Sequence, residues 1–468
     1  MPFDRETLEQ RLRPFGQDHV LRFWDELDAA GRRQLAEQLA DIDFSLLSDL
    51  VAGEDEKPDF AALAAAAEPP PAVRSDGSGT DWSVREAREA GEQLLREGKV
   101  ASVLVAGGQG TRLGFDRPKG MFPIGPVSDR TLFEIFAARL RGLHRRYGQP
   151  VPLYLMTSDA TDRETRDYFE RNDRLGLEGD QLRIFRQGTM PAVDAASGKL
   201  LLARKDSLAL SPDGHGGTLR ALQRSGCLDE LRQRGVELLF YFQVDNPLVT
   251  LGDPTLIGHH RLADSEMTTQ VVRKREPTER VGNVVMIDGR VQIIEYSDLP
   301  EEAARVTDED GSLRLWAGNI AVHVIEVDFL TRMAASDRSL PFHRASKKVP
   351  FVDASGRPVE PTEPNATKFE KFIFDLLPAA RNAFVAEVEA AEAFAPVKNA
   401  DGAASDTPQL AKRAIVDLHR RWLGQAGVEV DPEVQVEIDP EWAATAGQVA
   451  ENLGNISRID SNRFLTFD

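Results

Sequence analysis

Cysteine is almost absent from this 468-residue chain, where Cys227 stands alone. A single thiol excludes an intrachain disulfide and any metal site built from several cysteines, and it points to a reducing, cytoplasmic setting. Apolar runs of the ~20 residues needed to span a bilayer are also missing, and the N-terminal MPFDRETLEQRLRPFG has no apolar signal core. No membrane contact is expected. Positive charge is scarce, since 57 Lys and Arg against 76 Asp and Glu leave a net charge of −19. Binding to a nucleic acid duplex needs a basic stripe that displaces counterions, so that class of partner is not expected. Nor does any internal repeat recur. What remains, 41% hydrophobic and 28% charged residues, is the composition of an ordinary globular protein. The length suits two or three domains.

Along the chain, residues 5–65 read as helical. Val20, Leu21, Trp24 and Leu27 lie on one face, Gly31 breaks the pattern, and Leu35, Leu39 and Ile42 resume it. Three prolines at 69–71 and SDGSGT at 75–80 form a linker or a strap on the next domain. Ser83 and Glu86 make a capping box that opens a helix. Short apolar strands at 99–106, 151–157, 182–185 and 236–244 then alternate with helices at 132–144 and 165–173. This is an α/β pattern with a largely parallel sheet, whose ligands sit beyond the carboxyl ends of the strands. After Pro396 come a helix at 409–423 and a strand-like stretch at 428–438. The expected parts are an N-terminal helical region and linker at 1–81, a catalytic α/β domain at 82–385, and a small α+β region at 386–468.

Residues 104–120, LVAGGQGTRLGFDRPKG, carry the strongest chemical signal. A buried strand empties into a glycine turn, whose exposed N–H groups and freedom in φ let the backbone approach a phosphate. Arg112 and Lys119 add two cations on the same segment. Gly108, Gly110 and Gly114 are spaced one residue too widely for the dinucleotide fingerprint, and no Gly-Lys-Ser/Thr follows to make a P-loop. A polyphosphate is the expected ligand. Downstream, the apolar strand at 236–244 ends in Asp245-Asn246-Pro247, placing a carboxylate at the sheet's carboxyl edge as the candidate Mg²⁺ ligand. A glycine-rich loop, SPDGHGGTLRAL at 211–222, places His215 where backbone can lie close to a base or sugar. Without a nucleophile beside it, His215 reads as a binding residue.

The loop with its Pro118-Lys119-Gly120 triplet resembles the signature of the nucleotide-sugar pyrophosphorylases. FRQGTMPAV at 185–193, PDGHGGTLRAL at 212–222, VDNPLV at 244–249, VVRKREPTERVGNVV at 271–285, IIEYSDLP at 293–300, AGNIAVH at 317–323, FHRASKKVPFVD at 342–353, EPNATKFEKFIFD at 363–375 and FAPVKNADG at 394–402 resemble, in order, the UDP-N-acetylhexosamine pyrophosphorylases of eukaryotic type. HVLRFWDELD at 19–28 is similar to that family's N-terminal helical region, so the likeness reaches to about residue 426.

The resemblance implies a Rossmann-like, GT-A-like nucleotidyltransferase domain with a mixed, mostly parallel sheet. It implies a uridylyltransferase joining UTP to N-acetylglucosamine 1-phosphate with Mg²⁺ as cofactor; no protein partner is implied. Ala106, Gly107, Gly108, Gln187 and Gly214 would then meet the uridine. Arg112, Lys119 and Lys398 would hold the phosphates, while Gly282, Glu295, Asn319 and His215 would bind the sugar. Phe372 and Phe374, which as a bare pair read as core aromatics, match positions lining the sugar pocket. His215 stands where the family usually has Asn, an arrangement closer to the related UDP-glucose pyrophosphorylases. The alternatives are therefore the same chemistry on glucose 1-phosphate and, in another class, an inactive sensor of UDP-sugars.

Overall fold

The computed structural model describes residues 4–53, 59–336 and 340–467. Packing divides the chain into two compact units, one of Met1–Asp59, Gln187–Thr218 and Leu340–Asp375, the other of Phe60–Arg186, Leu219–Ser339 and Leu376–Asp468.

The larger unit is built on a ten-stranded mixed, mostly parallel sheet. Along its main path the order is Ala72–Val73, Phe384–Glu387, Met267–Arg273, Ala317–Glu326, Leu238–Gln243, Val100–Val105, Leu153–Thr157 and Leu182–Arg186. Val100–Val105 and Leu238–Gln243 pair in parallel, and both are buried along almost their whole length. Helices cover both faces of such strands, which is why they read as continuous apolar runs without alternation. Ala317–Glu326 runs antiparallel to Leu238–Gln243 and Met267–Arg273. Its N-terminal end therefore meets the carboxyl ends of those strands, and one sheet edge collects the segments of chemical interest.

Local signals set the helices. Ser83 caps Val84–Arg96 and Thr131 caps Leu132–Tyr147, each through a reciprocal box with Glu86 or Glu134. The proline strap is a structural strand, because Ala72–Val73 pairs in parallel with Phe384–Glu387. The stretch expected as one strand at 428–438 is two, Glu429–Val430 and Val436–Ile438, separated by a turn that includes Pro432. Proline has no N–H to continue a ladder. Glu437, 3% exposed, accepts the N–H groups of Val127 and Ser128 at 2.8 and 2.7 Å and the Ser128 hydroxyl at 2.7 Å. It thereby clips the C-terminal strands to the loop that follows Lys119.

The smaller unit packs helices Arg5–Leu12, Ala29–Ala40 and Phe44–Ala52 around Leu8, Leu12, Leu35 and Leu39, together with Val193, Leu200 and Phe369 from its strands. Two expectations are corrected here. The segment holding Val20, Leu21 and Trp24 folds as short 3₁₀ turns. Gly31 does not break a helix but lies in the first turn of Ala29–Ala40, its N–H donated to the Asp28 cap at 2.8 Å. The cap starts the helix two residues before the glycine, and the turns before it are what interrupt the periodicity.

Candidate active site

In the larger unit, strand Val100–Val105 delivers the glycine loop to the sheet's carboxyl edge. Ala106 donates its N–H to Met156 O at 2.8 Å, and the Ser158 hydroxyl holds Gly107 O at 2.7 Å. Lys119 N donates to Gly108 O at 3.1 Å, closing the loop on itself. The glycines divide into two kinds. A Cβ on Gly120 would fall 2.1 Å from the Phe133 ring, so that glycine serves packing. A Cβ on Gly108 would meet nothing within 4 Å, and this exposed backbone is the part left open to a ligand.

Lys119 is half-buried, whereas Arg112 is exposed. Burial holds the Lys119 ammonium below the ordinary lysine value; Asp245 opposes that shift, while Lys398 and Arg112 add to it. Four charged side chains from three distant segments thus act on one another at this edge. Asp245 follows Leu238–Gln243, with Val244 N bonded to Val105 O at 3.1 Å. Its carbonyl accepts Val397 N at 2.8 Å. The neighbouring Asn246 amide donates to Ala393 O and accepts Ala395 N at 2.7 and 3.1 Å. These bonds dock the segment that carries Lys398.

Sequence reasoning missed Asp406. Its carbonyl accepts the N–H groups of Lys398 and Asn399 at 2.8 and 3.0 Å. Burial raises its carboxyl above the usual value, Lys398 opposes this, and Asp245 adds to it. The Asp-Thr-Pro that opens helix Pro408–Gln425 was the available signal, with Thr407 as its cap.

Farther along the edge, Gly282 pairs with Asn319 across two antiparallel strands. A Cβ on Gly282 would lie 3.2 Å from Glu295 Oε1 and 3.8 Å from Asn319 Cβ, so these three expected residues do come together. Asn319 Oδ1 accepts the Ala321 N–H at 3.0 Å.

The smaller unit holds the other expected residues. Gln187 is buried, and the adjoining Gly188 O accepts Asp213 N at 3.2 Å, beside Gly214. Gly214 has φ +84°, and a Cβ there would sit 2.4 Å from Lys371 O. Its glycine is required by the protein's own backbone. His215 stacks on Phe372 with centroids 5.2 Å apart and lies 5.6 Å from Phe374. Its Nδ1 accepts the Ile373 N–H at 3.3 Å. Burial, and then the nearby His343, lower its pKa to about 4. The ring is therefore neutral at physiological pH, and with Nδ1 an acceptor its proton is on Nε2. The backbone thus claims one of the two ring nitrogens.

The mixed, mostly parallel sheet, with a glycine loop, three cations and the carboxyl groups of Asp245 and Asp406 near its carboxyl edge, has the α/β architecture of a nucleotidyltransferase. The chain belongs to the UTP–glucose-1-phosphate uridylyltransferase family, whose model matches residues 71–428. It is 39% identical over 437 residues to the UDP-N-acetylhexosamine pyrophosphorylase-like protein 1 of Xenopus tropicalis, covering 90% of this chain and 85% of the relative. To the UDP-N-acetylglucosamine pyrophosphorylase of Saccharomyces cerevisiae it is 35% identical, with 83% of each chain covered. Among solved structures, the uridine diphosphate N-acetylglucosamine pyrophosphorylase of Trypanosoma brucei superposes with a TM-score of 0.83 at 27% identity, covering 100% of this chain and 99% of that one. No helix among the described residues is long and apolar enough to cross a membrane.

Proposed function

We propose that the chain joins UTP and N-acetylglucosamine 1-phosphate to give UDP-N-acetylglucosamine and pyrophosphate, working in the cytoplasm. The convergence of Lys119, Arg112, Lys398 and Asp245 carries this reading, and the names of the yeast and trypanosome relatives support the choice of sugar. A phosphate oxygen of the sugar phosphate attacks the α-phosphorus of UTP. As that bond forms, the bond from the α-phosphorus to the bridging oxygen breaks, and pyrophosphate leaves with its electron pair. The attacking phosphate has a second pKa of ~6 and is already ionised, so no general base is needed. What the site must supply is alignment and relief of the repulsion between two polyanions.

Arg112, Lys119 and Lys398 are assigned to the phosphates as the catalytic cations. Asp245 is assigned to Mg²⁺. Its carbonyl, not its carboxylate, takes the Val397 N–H, and among the described residues no three His, Cys, Asp or Glu side chains gather into a cage. One carboxylate fits an ion that keeps water and phosphate oxygens as most of its ligands. When bound, such an ion would offset charge on the triphosphate. The backbone at Ala106, Gly107 and Gly108 is assigned to uracil, as are Gln187 and Gly214. Gly282, Glu295 and Asn319 take the sugar, as do His215, Phe372 and Phe374. The Nε2–H of His215 is a donor, which suits the carbonyl oxygen of an acetamido group.

Pyrophosphate release from UTP, dependent on added N-acetylglucosamine 1-phosphate, tests the proposal. A UDP-sugar sensor would release none. Glucose 1-phosphate is the second reading, favoured by the His215 loop alone.

A further inference from the structure

The strands that carry Gly282, Glu295 and Asn319 have a second face. Asn283 pairs with Ile294 on one side and with Gly318 on the other, so these three positions share the face opposite Gly282 and Asn319. Behind it lies Lys274, 5% exposed, just beyond strand Met267–Arg273. Its backbone N–H is fixed to Trp316 O at 2.9 Å. Gly318 leaves room for its stem, since a Cβ there would stand 3.3 Å from Lys274 Cγ. The ammonium donates to Asn283 Oδ1 at 2.6 Å, and Asn283, 1% exposed, donates through Nδ2 to Ile294 O at 3.2 Å. Glu279, the acidic group that acts on this ammonium, is itself bound to Arg275 at 2.6 Å. Burial costs a charge its hydration, and one neutral amide is a weak return for it. An apolar side chain of the same length would fill the space without that cost.

We infer that Lys274 is a positioning residue for sugar recognition: by holding Asn283 it fixes the spacing between Gly282 and Glu295 on the opposite face. The inference rests on the proposed uridylyltransferase reading. With the Asn283 amide locked between the ammonium and Ile294 O, the ribbon cannot slide or splay where Gly282 faces Glu295 Oε1. The hexosamine would feel this geometry, whereas the uridine phosphate portion would not.

Calorimetric titration of the full chain with UDP and with UDP-N-acetylglucosamine separates the two contributions. Wild type should bind the sugar nucleotide more tightly than UDP. In Lys274→Met that increment should fall by about tenfold, the scale of one displaced charge-assisted hydrogen bond, while UDP affinity stays within about twofold. Asn283→Asp, which keeps the ammonium but loses the donor to Ile294 O, should shift the increment in the same direction and provides the answer should Lys274→Met fold poorly. An unchanged increment in these variants, or equal weakening of both ligands, overturns the inference. Equal affinity of wild type for the two ligands overturns it as well, by removing the sugar from this edge. Failure of wild type to bind either ligand instead overturns the uridylyltransferase reading, and the inference falls with it.

Discussion

Removing the Lys119 ammonium should separate turnover from stability more cleanly than any other change. Lys119 is desolvated and faces Lys398 and Arg112, with Asp245 as the opposing attraction, and the net effect lowers its pKa. The folded state therefore binds this proton less tightly than the unfolded chain does. Where the unfolded state holds more protons, stability rises with pH, so the ammonium is a net cost below its folded pKa that is relieved as pH climbs toward the ordinary lysine value. At neutral pH Lys119→Met should thus leave the melting temperature unchanged or raise it. Turnover should behave oppositely. A preorganised cation aimed at charge developing on a transferring phosphoryl group contributes about 3–4 kcal/mol, or ~10²–10³ in rate. Pyrophosphate-release kinetics and thermal melts on the same preparation give both numbers. Near wild-type turnover would refute the phosphate assignment; a large drop in melting temperature would refute the electrostatic reasoning.

Asp245→Asn should abolish the response of turnover to added Mg²⁺ while preserving the Val397 N–H bond to its carbonyl; an unchanged Mg²⁺ titration would point to another ligand. His215, with a pKa lowered to about 4 by burial, should cost stability as pH falls from ~6.5 toward 4, because the unfolded ring then takes up protons that the folded one does not. His215→Asn should remove that part of the acid sensitivity in melts and sharpen the preference for the acetylated sugar; an unchanged substrate ratio would free His215 of that role. Glu437→Ala leaves three donors without their buried acceptor and should cost about 2–3 kcal/mol in chemical denaturation. Loss of less than half a kcal/mol would mean the C-terminal clip is not what holds the 125–128 loop.

The glycine loop and its strand were legible because their signal is local. Apolar run, glycines and cations are adjacent in sequence, and the same is true of Asp245 at a strand end and of the Ser83 capping box. Where function depends on a long-range meeting, the sequence is silent. Nothing near Lys274 announces that Asn283 lies 2.6 Å from its ammonium, or that Glu437 reaches Ser128 from a distant strand. The smaller unit draws on three separated segments, with residues 193–194 joining the sheet of His343–Lys347 and Ala366–Glu370. Composition does not change at those joins. At the N-terminus the apolar spacing of Val20, Leu21 and Trp24 suits a helix, but short 3₁₀ turns with i→i+3 hydrogen bonds bury the same residues, and periodicity alone does not distinguish them.

The most direct test of the proposed chemistry is a comparison of specificity constants for a panel of sugar 1-phosphates with UTP, read as pyrophosphate release. N-acetylglucosamine 1-phosphate should give the highest kcat/KM, with glucose 1-phosphate used measurably but less well. A higher kcat/KM for glucose 1-phosphate would contradict the assignment of the sugar, and no pyrophosphate from any member of the panel would contradict the assignment of the reaction.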